Sequence, residues 1–249
     1  MDQVELKSCI KALKMPLVLE HFTEYADTAA KEQWSFERYL YELLVIEQDA
    51  RNERRIQTLL RASKLPLSKT RDTLDSTRFP PTINQQIEVL IEGSFLERCE
   101  NVLVFGNPGA GKSHTLCAIG HELVLKGHKV LFKNCEMLVQ ELLVAKREYL
   151  LPAMLKKLSR YQALIIDDIG YVQQNREEME VLFTLLADRY ERASTMITSN
   201  LPFSEWEKIF KDPMTTAAAI DRLVHHSMII ELNLKSYRLE HAQKEKNRE

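Results

Sequence analysis

The sequence predicts an α/β fold, with a parallel sheet between layers of helices and a small all-helical region before it. From residue 101 onward, short apolar segments typical of buried strands alternate with longer segments of helical periodicity. Residues 1–63 differ, because they contain no glycine and a single proline, Pro16, and repeat apolar residues at helical spacing. These two patterns indicate two regions of different architecture.

Composition is typical of a globular protein. The 249 residues are 45% hydrophobic and 28% charged, which argues against chain-wide disorder. The longest stretch without a charged side chain, residues 193–204, is too short for a membrane helix. The N-terminus shows no secretory signal, and the four cysteines lie far apart, which argues against disulfides and zinc sites. We therefore expect a cytoplasmic protein with no membrane partner.

The helical region is predicted to contain three or four helices. Pro16 opens the second of them, since proline is favoured in the first turn of a helix. Pro66, Pro80 and Pro81 then mark a linker or a strap between domains. We expect a helical domain over residues 1–66, a linker over 67–82, an α/β domain over 83–240 and a polar tail over 241–249.

The α/β domain is predicted to begin with a helix and to continue with five strands, each short and apolar. The predicted strands cover residues 101–105, 129–133, 163–167, 195–199 and 228–232. The predicted helices cover residues 83–92, 112–126, 136–148, 177–192 and 217–226.

The clearest motif lies between the first strand and the helix that follows it. Three of the seven glycines fall within residues 106–111, and GNPGAGKS fits the pattern GxxxxGK[ST] of a phosphate-binding loop. Its backbone N–H groups and the helix N-terminus would face a phosphate chain. Lys112 would meet the β- and γ-phosphates of ATP, and Ser113 would hold Mg²⁺. The residues expected to bind the nucleotide are Gly106, Asn107, Pro108, Gly109, Ala110, Gly111, Lys112, Ser113 and His114.

Polar residues end two later strands. Asp167 and Asp168 end the third strand, at the sheet edge where ligands of open α/β folds bind. Asp167 would orient Mg²⁺, and Asp168 would act on the attacking water. Asn200 follows the fourth strand and would sense the γ-phosphate. This arrangement favours ATP hydrolysis.

Charge is unevenly distributed, although the net charge is −2. Residues 1–50 carry 5 basic and 10 acidic side chains, whereas residues 51–78 carry 8 basic and 3 acidic ones. A basic stripe of this kind attracts the phosphate backbone of duplex DNA without reading its sequence. The candidate contacts are Arg51, Arg54, Arg55, Arg61 and Lys64.

Other candidates are single residues. Arg222 precedes the last strand, where an arginine could reach the nucleotide of a neighbouring subunit. Arg189 is as consistent with a salt bridge as with function. His225 and His226 are interpreted as helix-end residues, because no acid, Cys or further His stands at ligand spacing.

Together, the stretches GNPGAGKSH, LIIDDIGY, DRYERASTMITSNLPFSEW and AAAIDRLVHHSMIIEL resemble the IstB family, AAA+ ATPases that assist insertion-sequence transposases and are related to DnaC-type helicase loaders. The resemblance covers nearly the whole chain. It implies an AAA+ core, a DNA-binding N-terminal domain, and a ring or helical homo-oligomer with ATP at subunit interfaces. It also implies a partner transposase.

The resemblance also implies roles for single residues. Asn200 is sensor one, Arg222 the arginine finger and Arg238 a sensor-two candidate that contacts the nucleotide. The chain departs from the family where Asp168 replaces the usual Glu, so we expect slow hydrolysis. Leu234 and Lys235 replace a glycine that the family tends to have before Arg238, which weakens that assignment. Few residues follow Leu232, so we expect the C-terminal lid to be largely absent.

Two other functions share parts of this pattern. A helicase loader has the same ATPase core, but its N-terminal region binds a helicase rather than duplex DNA. A small-molecule kinase would need an acceptor pocket and a lid, and would have no use for an interface arginine. The basic stripe and SNLPFSEW favour the transposition helper.

Overall fold

The computed structural model describes residues 2–170, 176–210 and 213–237. It consists of two compact units, Met1–Thr58 and Leu59–Glu249. The sequence predicts a boundary at residue 66, but the structure places it after Thr58. The reason is packing, because Leu59 and Leu60 contact the core of the second unit and Leu65 is buried in it.

The first unit is helical, as predicted. Its elements are α1 (Gln3–Ala12), α2 (Pro16–Lys31) and the first part of α3 (Phe36–Ser63). Asp2 caps α1 by accepting a hydrogen bond from the N–H of Val4, and Pro16 opens α2. The core of this unit is small, with Ile10, Val18, Phe22 and Leu43 buried.

The second unit contains a five-stranded parallel sheet, which confirms the predicted α/β fold. The strand order is β2-β3-β4-β1-β5. The strands are β1 (Asn101–Gly106), β2 (Val130–Asn134), β3 (Ala163–Asp167), β4 (Ser194–Ser199) and β5 (Ser227–Leu232).

Helices cover both faces of the sheet. Side chains alternate along each strand, so Val102 and Val104 join one core cluster while Leu103 joins the other. The first cluster includes residues of α4 and α6, and the second includes residues of α7, α9 and α11. The helices are α4 (Pro81–Glu92), α5 (Ser94–Glu97), α6 (Lys112–Leu125), α7 (Cys135–Arg147), α8 (Leu151–Leu158), α9 (Arg176–Arg189), α10 (Glu207–Phe210) and α11 (Pro213–Val224).

Residues 67–82 are not an open linker. Phe79 is buried in the core beside α4 and α6, and Leu74 packs against it. Ser76–Arg78 form a short 3₁₀ helix. We call residues 67–79 the strap, because they are fixed to the second unit by this apolar packing.

Several expectations fall wholly or partly outside the described residues. The polar tail 241–249 and Arg238 lie outside them. A C-terminal lid would follow β5, and of that segment the structure describes only residues 233–237. All four cysteines are described, and each is a free thiol. Within the described ranges, no helix has the length and apolar character needed to cross a bilayer.

Candidate functional site

The loop Gly106–Ser113 lies between β1 and α6, as predicted. Gly109 and Gly111 have φ angles of 81° and 100°, in a region that side chains with a Cβ rarely adopt. A Cβ on Gly109 would also lie 2.2 Å from Oγ of Ser236. The loop therefore requires glycine at both positions, and it leads directly into the N-terminus of α6. The N–H groups at such a terminus attract anions.

The side chain of Lys112 lies inside this loop. Its Nζ donates hydrogen bonds to the carbonyl oxygens of Gly106, at 2.8 Å, and of Asn107, at 3.1 Å. The residue is only 5% exposed. A buried ammonium group at this place can donate hydrogen bonds to phosphate oxygens. Such bonds between charged groups are stronger than hydrogen bonds between neutral groups.

Two acidic residues lie at the carboxyl end of β3, near the loop, because β3, β4 and β1 are consecutive strands of the sheet. Asp167 is buried, and its Oδ1 accepts a 2.6 Å hydrogen bond from the hydroxyl of Thr198. The same hydroxyl accepts a 2.8 Å hydrogen bond from the N–H of Asp168. One β4 side chain thus fixes both acidic residues, and sequence reasoning missed it.

The backbone of Asp168 is strained. Its φ of 62° lies in the left-handed region, where Asp and Asn are far more common than other side chains with a Cβ. Asp168 also borders the cavity above the phosphate-binding loop. Strained residues concentrate at functional sites, which fits a role for this carboxylate.

Asn200 follows β4 and lies beside these acids. Its Oδ1 is buried and has no hydrogen-bond partner among the described residues. A Cβ on Gly170 would lie 2.2 Å from this oxygen, so the glycine leaves space for the amide. A buried polar atom without a partner marks a place where a ligand or water completes the structure.

A cavity of about 580 Å³ lies over the loop and adjoins Lys112, Ser113 and Asp168. Its other wall is the strap, with Lys69, Thr73, Leu74, Arg78 and Phe79. Such a volume is typical of a small-molecule site. The sequence predicts a linker here, and the proline pattern gave no signal that the segment would border a cavity.

Arg78 and Tyr237 also border the cavity. The guanidinium carbon of Arg78 lies 5.2 Å from the centre of the Tyr237 ring, and Arg78 donates to the carbonyl oxygen of Lys235 at 2.9 Å. The N–H of Tyr237 donates to the carbonyl of Gly109 at 3.0 Å. The segment after β5 is therefore attached to both the strap and the loop.

His114 connects the strap to α6. Its Nε2 lies 3.1 Å from the carbonyl oxygen of Thr70 and 3.0 Å from the hydroxyl of Thr73. Burial lowers the pKa of His114, against the effect of the Thr70 hydrogen bond. This geometry supports a role in holding the strap beside the loop, while direct nucleotide contact by His114 stays a prediction.

Arg222 lies near the end of α11, at the end of the sheet opposite the phosphate-binding loop. The side chain of Asn101, the first residue of β1, donates to the carbonyls of Arg222 and Leu223 at 3.5 and 3.1 Å. The loop follows the other end of β1, about 17 Å away for a strand of this length. Arg222 therefore does not reach the nucleotide site of its own chain. Its guanidinium carbon lies 4.8 Å from the centre of the Phe183 ring.

Arg189 has a structural position. It is 2% exposed and donates to the carbonyls of Leu158, Tyr161 and Ser194 and to the hydroxyl of Thr195. Burial lowers its pKa to about 10. These hydrogen bonds join the end of α9 to the end of α8 and the start of β4.

The predicted DNA contacts are exposed, but Arg51 differs from the others. Its Nε lies 3.0 Å from Oε1 of Glu47, and its guanidinium donates to the carbonyl of Lys14 at 2.6 Å. Glu47 is 2% exposed, so Arg51 balances a buried charge within the first unit. Arg54 and Arg55 lie on the same helix, and Arg61 and Lys64 belong to the second unit.

His225 and His226 lie in the turn between α11 and β5. Sequence spacing did not single out a third ligand for these histidines, but the fold brings Glu191, from the turn after α9, close to both. No spacing rule finds this cluster, since Glu191 lies far from the two histidines in sequence.

The model of the family described as IstB-like ATP binding protein matches residues 8–245. An insertion-sequence ATP-binding protein of Sinorhizobium fredii is 40% identical over 98% of this chain and 83% of its own length. The ATP-binding protein of insertion sequence IS21 from Pseudomonas aeruginosa is 38% identical over 96% of this chain and 91% of its own.

Among solved structures, the DnaC helicase loader matches with a TM-score of 0.58 at 18% identity. The match covers 67% of this chain and 98% of the loader's chain. AMPPCP-bound DnaA from Aquifex aeolicus has a TM-score of 0.55 at 17% identity, over 74% of this chain and 56% of its own. At these identities, the likeness shows a shared fold.

Proposed function

The chain belongs to the family of IstB-like ATP binding proteins, and from that premise we propose that it is an ATP-dependent helper of transposition. In this proposal it assembles as a homo-oligomer on duplex DNA, hydrolyses ATP with Mg²⁺, and recruits or stimulates a partner transposase. The names of its relatives, which are ATP-binding proteins of insertion sequences, support the link to mobile elements.

One observation carries the ATPase part. The phosphate-binding loop, the Asp167–Asp168 pair and Asn200 lie together, because they follow the carboxyl ends of three adjacent parallel strands. A glycine cradle and a buried ammonium fit the phosphate chain of a nucleoside triphosphate, and the unpartnered amide oxygen of Asn200 can accept a hydrogen bond from the attacking water. The adjoining cavity of about 580 Å³ fits the remainder.

Each residue then has a distinct part in hydrolysis. Lys112 and the N-terminus of α6 bind the β- and γ-phosphates. Asp168 accepts a proton from the attacking water, and Asn200 donates from its amide NH₂ to the γ-phosphate or orients that water. Ser113 and Asp167 would hold Mg²⁺, which neutralises the charge developing on the phosphate oxygens.

The role proposed for Arg222 requires a second subunit. Because Arg222 lies at the edge of the sheet opposite its own loop, it can stabilise transition-state charge only at the site of a neighbour. This position supports ATP at subunit interfaces and thereby an oligomer.

Binding to DNA is assigned to the basic stripe. Arg54, Arg55, Arg61 and Lys64 are exposed, and no base-reading motif accompanies them. We therefore propose phosphate-backbone contacts that depend little on sequence. Arg51 contributes less than the sequence predicts, because it already pairs with Glu47.

A helicase loader is the alternative. The fold of the DnaC loader supports it, but at 18% identity that likeness concerns the fold alone, whereas the insertion-sequence relatives reach 40% over almost the whole chain. The transposition helper is therefore favoured.

The test is binding to labelled duplex DNA with ATP present, followed by capture of the transposase encoded beside the gene. The parent should bind duplex DNA only with ATP and should retain the transposase on it. Lys112→Ala should lose both properties, with its fold verified by circular dichroism. ATP-independent DNA binding, or retention of a replicative helicase in place of the transposase, would contradict the proposal.

A further inference from the structure

Glu191, His225 and His226 form a cluster at the amino edge of the sheet. One ligand atom from each lies within 4.8 Å of those of the other two, and all three side chains are exposed. Glu191 comes from the turn between α9 and β4, and the two histidines come from the turn between α11 and β5. The cluster thus joins two separate turns.

The donor atoms favour a particular class of cation. Two imidazole nitrogens and one carboxylate are a ligand set that binds Zn²⁺ and neighbouring first-row divalent ions. Mg²⁺ and Ca²⁺ prefer oxygen ligands throughout. The cluster therefore differs in chemistry from the oxygen ligands Ser113 and Asp167 at the nucleotide site.

A neighbouring side chain orients one of the ligands. The hydroxyl of Tyr190 lies 3.0 Å from Nδ1 of His225, and the two ring centres are 6.2 Å apart. Histidines that bind a metal through one ring nitrogen usually donate a hydrogen bond from the other. With an ion on Nε2, Nδ1–H of His225 can donate to the Tyr190 oxygen.

The backbone at Glu191 adds a further observation. Its φ of 55° lies in the left-handed region, at the end of α9, where glycine or asparagine is usual. A glutamate there is strained, and its carboxylate lies beside the two imidazoles.

We propose that Glu191, His225 and His226 bind one first-row divalent transition-metal ion, with Zn²⁺ preferred. The ion ties the turn after α9 to the turn after α11. Arg222 is close to this site, because Arg222, Glu191 and His226 line the same surface cavity. Asn101 lines it too, and its side chain donates a hydrogen bond to the carbonyl of Arg222 at the end of α11. Metal binding does not depend on the proposed ATPase function. An effect of the ion on the action of Arg222 in a neighbouring subunit would depend on that function.

The experiment titrates the full-length chain, without a histidine tag, with Co²⁺ as a visible probe. Nucleotide and DNA are left out and excess Mg²⁺ is present, so that oxygen-ligand sites are masked and failure here leaves the ATPase proposal untouched. We expect one equivalent of Co²⁺ to give a visible absorption band that Zn²⁺ removes. Zn²⁺ should also raise the Tm, because an ion that binds only the folded state stabilises it.

Variants identify the ligands. Glu191→Gln, His225→Ala and His226→Ala should each abolish the stoichiometric band. Tyr190→Phe should keep it but weaken affinity about tenfold, the usual effect of losing an outer hydrogen bond to a metal ligand. His21→Ala is the matched control, since His21 is another histidine beside a single carboxylate, Glu24, and this variant should bind like the parent.

Three outcomes would overturn the proposal. The first is the absence of stoichiometric binding by the folded parent, and the second is binding that survives loss of both His225 and His226. The third involves Cys99, a partly exposed thiol that borders the same cavity. A thiolate-to-cobalt charge-transfer band that disappears in Cys99→Ser and persists in His225→Ala would assign the ion to the thiol.

Discussion

Thr198 donates a 2.6 Å hydrogen bond from its hydroxyl to the carboxylate of Asp167, and both residues are buried. The same oxygen accepts the N–H of Asp168 at 2.8 Å. A residue of β4 therefore sets the positions of both acids at the carboxyl end of β3.

Thr198→Val should slow ATP hydrolysis about tenfold, because a hydrogen bond to a charged group contributes about 1.5–3 kcal/mol and its loss lets Asp167 and Asp168 shift. ATP affinity should change little, since Lys112 and the loop are intact. Thr198→Ser keeps the hydroxyl and should retain activity. Phosphate release and binding of a fluorescent ATP analogue measure the two effects. Equal turnover in the Val and Ser variants would show that the hydroxyl is dispensable.

Asp168→Asn should retain ATP binding and lose turnover by about 100-fold or more, the contribution of a general base. The substitution is structurally mild, because Asn tolerates the left-handed backbone found at this position. The ATP-bound complex on DNA should then persist longer, as followed by dissociation from labelled duplex. Hydrolysis at the parental rate would exclude Asp168 as the base.

Arg222→Ala should be rescued by mixing with Lys112→Ala. Either variant alone should be inactive, whereas a mixed interface pairs an intact loop from one subunit with an intact arginine from another. ATPase activity across mixing ratios should pass through a maximum. Arg222→Lys is the control for charge without the planar guanidinium. A flat response at every ratio, with assembly verified by light scattering, would argue against action between subunits.

Changing Arg54 and Arg55 together to Ala should weaken duplex binding and flatten its salt dependence. Each lost phosphate contact should reduce the log–log slope by about 0.9. Arg51→Ala should act mainly on stability instead, because it leaves the buried Glu47 without its ion pair. A salt titration of DNA affinity, beside thermal unfolding, separates these effects. Unchanged slope and affinity in the double variant would place DNA contacts elsewhere.

Acid should destabilise the first unit through Glu47. Burial alone would raise the pKa of this carboxyl, but hydrogen bonds from Arg51, Leu17 and Val18 outweigh it and hold the pKa below its ordinary value of 4.5. The stabilisation is therefore present above about pH 4.5 and is lost as pH falls through the lower pKa of the folded state.

Amide hydrogen exchange of residues 16–31 in the full-length chain measures this effect. Protection in the parent should decline with acid, and Glu47→Gln should flatten the decline. Glu42→Gln, on the same helix but more exposed, is the matched control. An identical pH dependence in the parent and Glu47→Gln would remove Glu47 as the cause.

Much of the fold follows from local patterns. All five strands agree with the sequence prediction to within one residue at each end. The reason is that a short apolar run bounded by polar residues suits few structures other than a buried strand. The loop Gly106–Ser113 is also determined locally, since its glycines and the helix after it are adjacent in the chain.

What the sequence determined by itself was therefore the order and kind of elements, the phosphate-binding loop and the polar residues at the ends of strands. The tertiary structure decided which distant residues meet. Thr198 contacts Asp167 only because β3 and β4 are neighbours, the strap lines the cavity because Phe79 is buried, and Glu191 meets His225 because two turns lie at one edge of the sheet. Periodicity records which face of an element is apolar, whereas such contacts depend on strand order and packing, which local patterns do not specify.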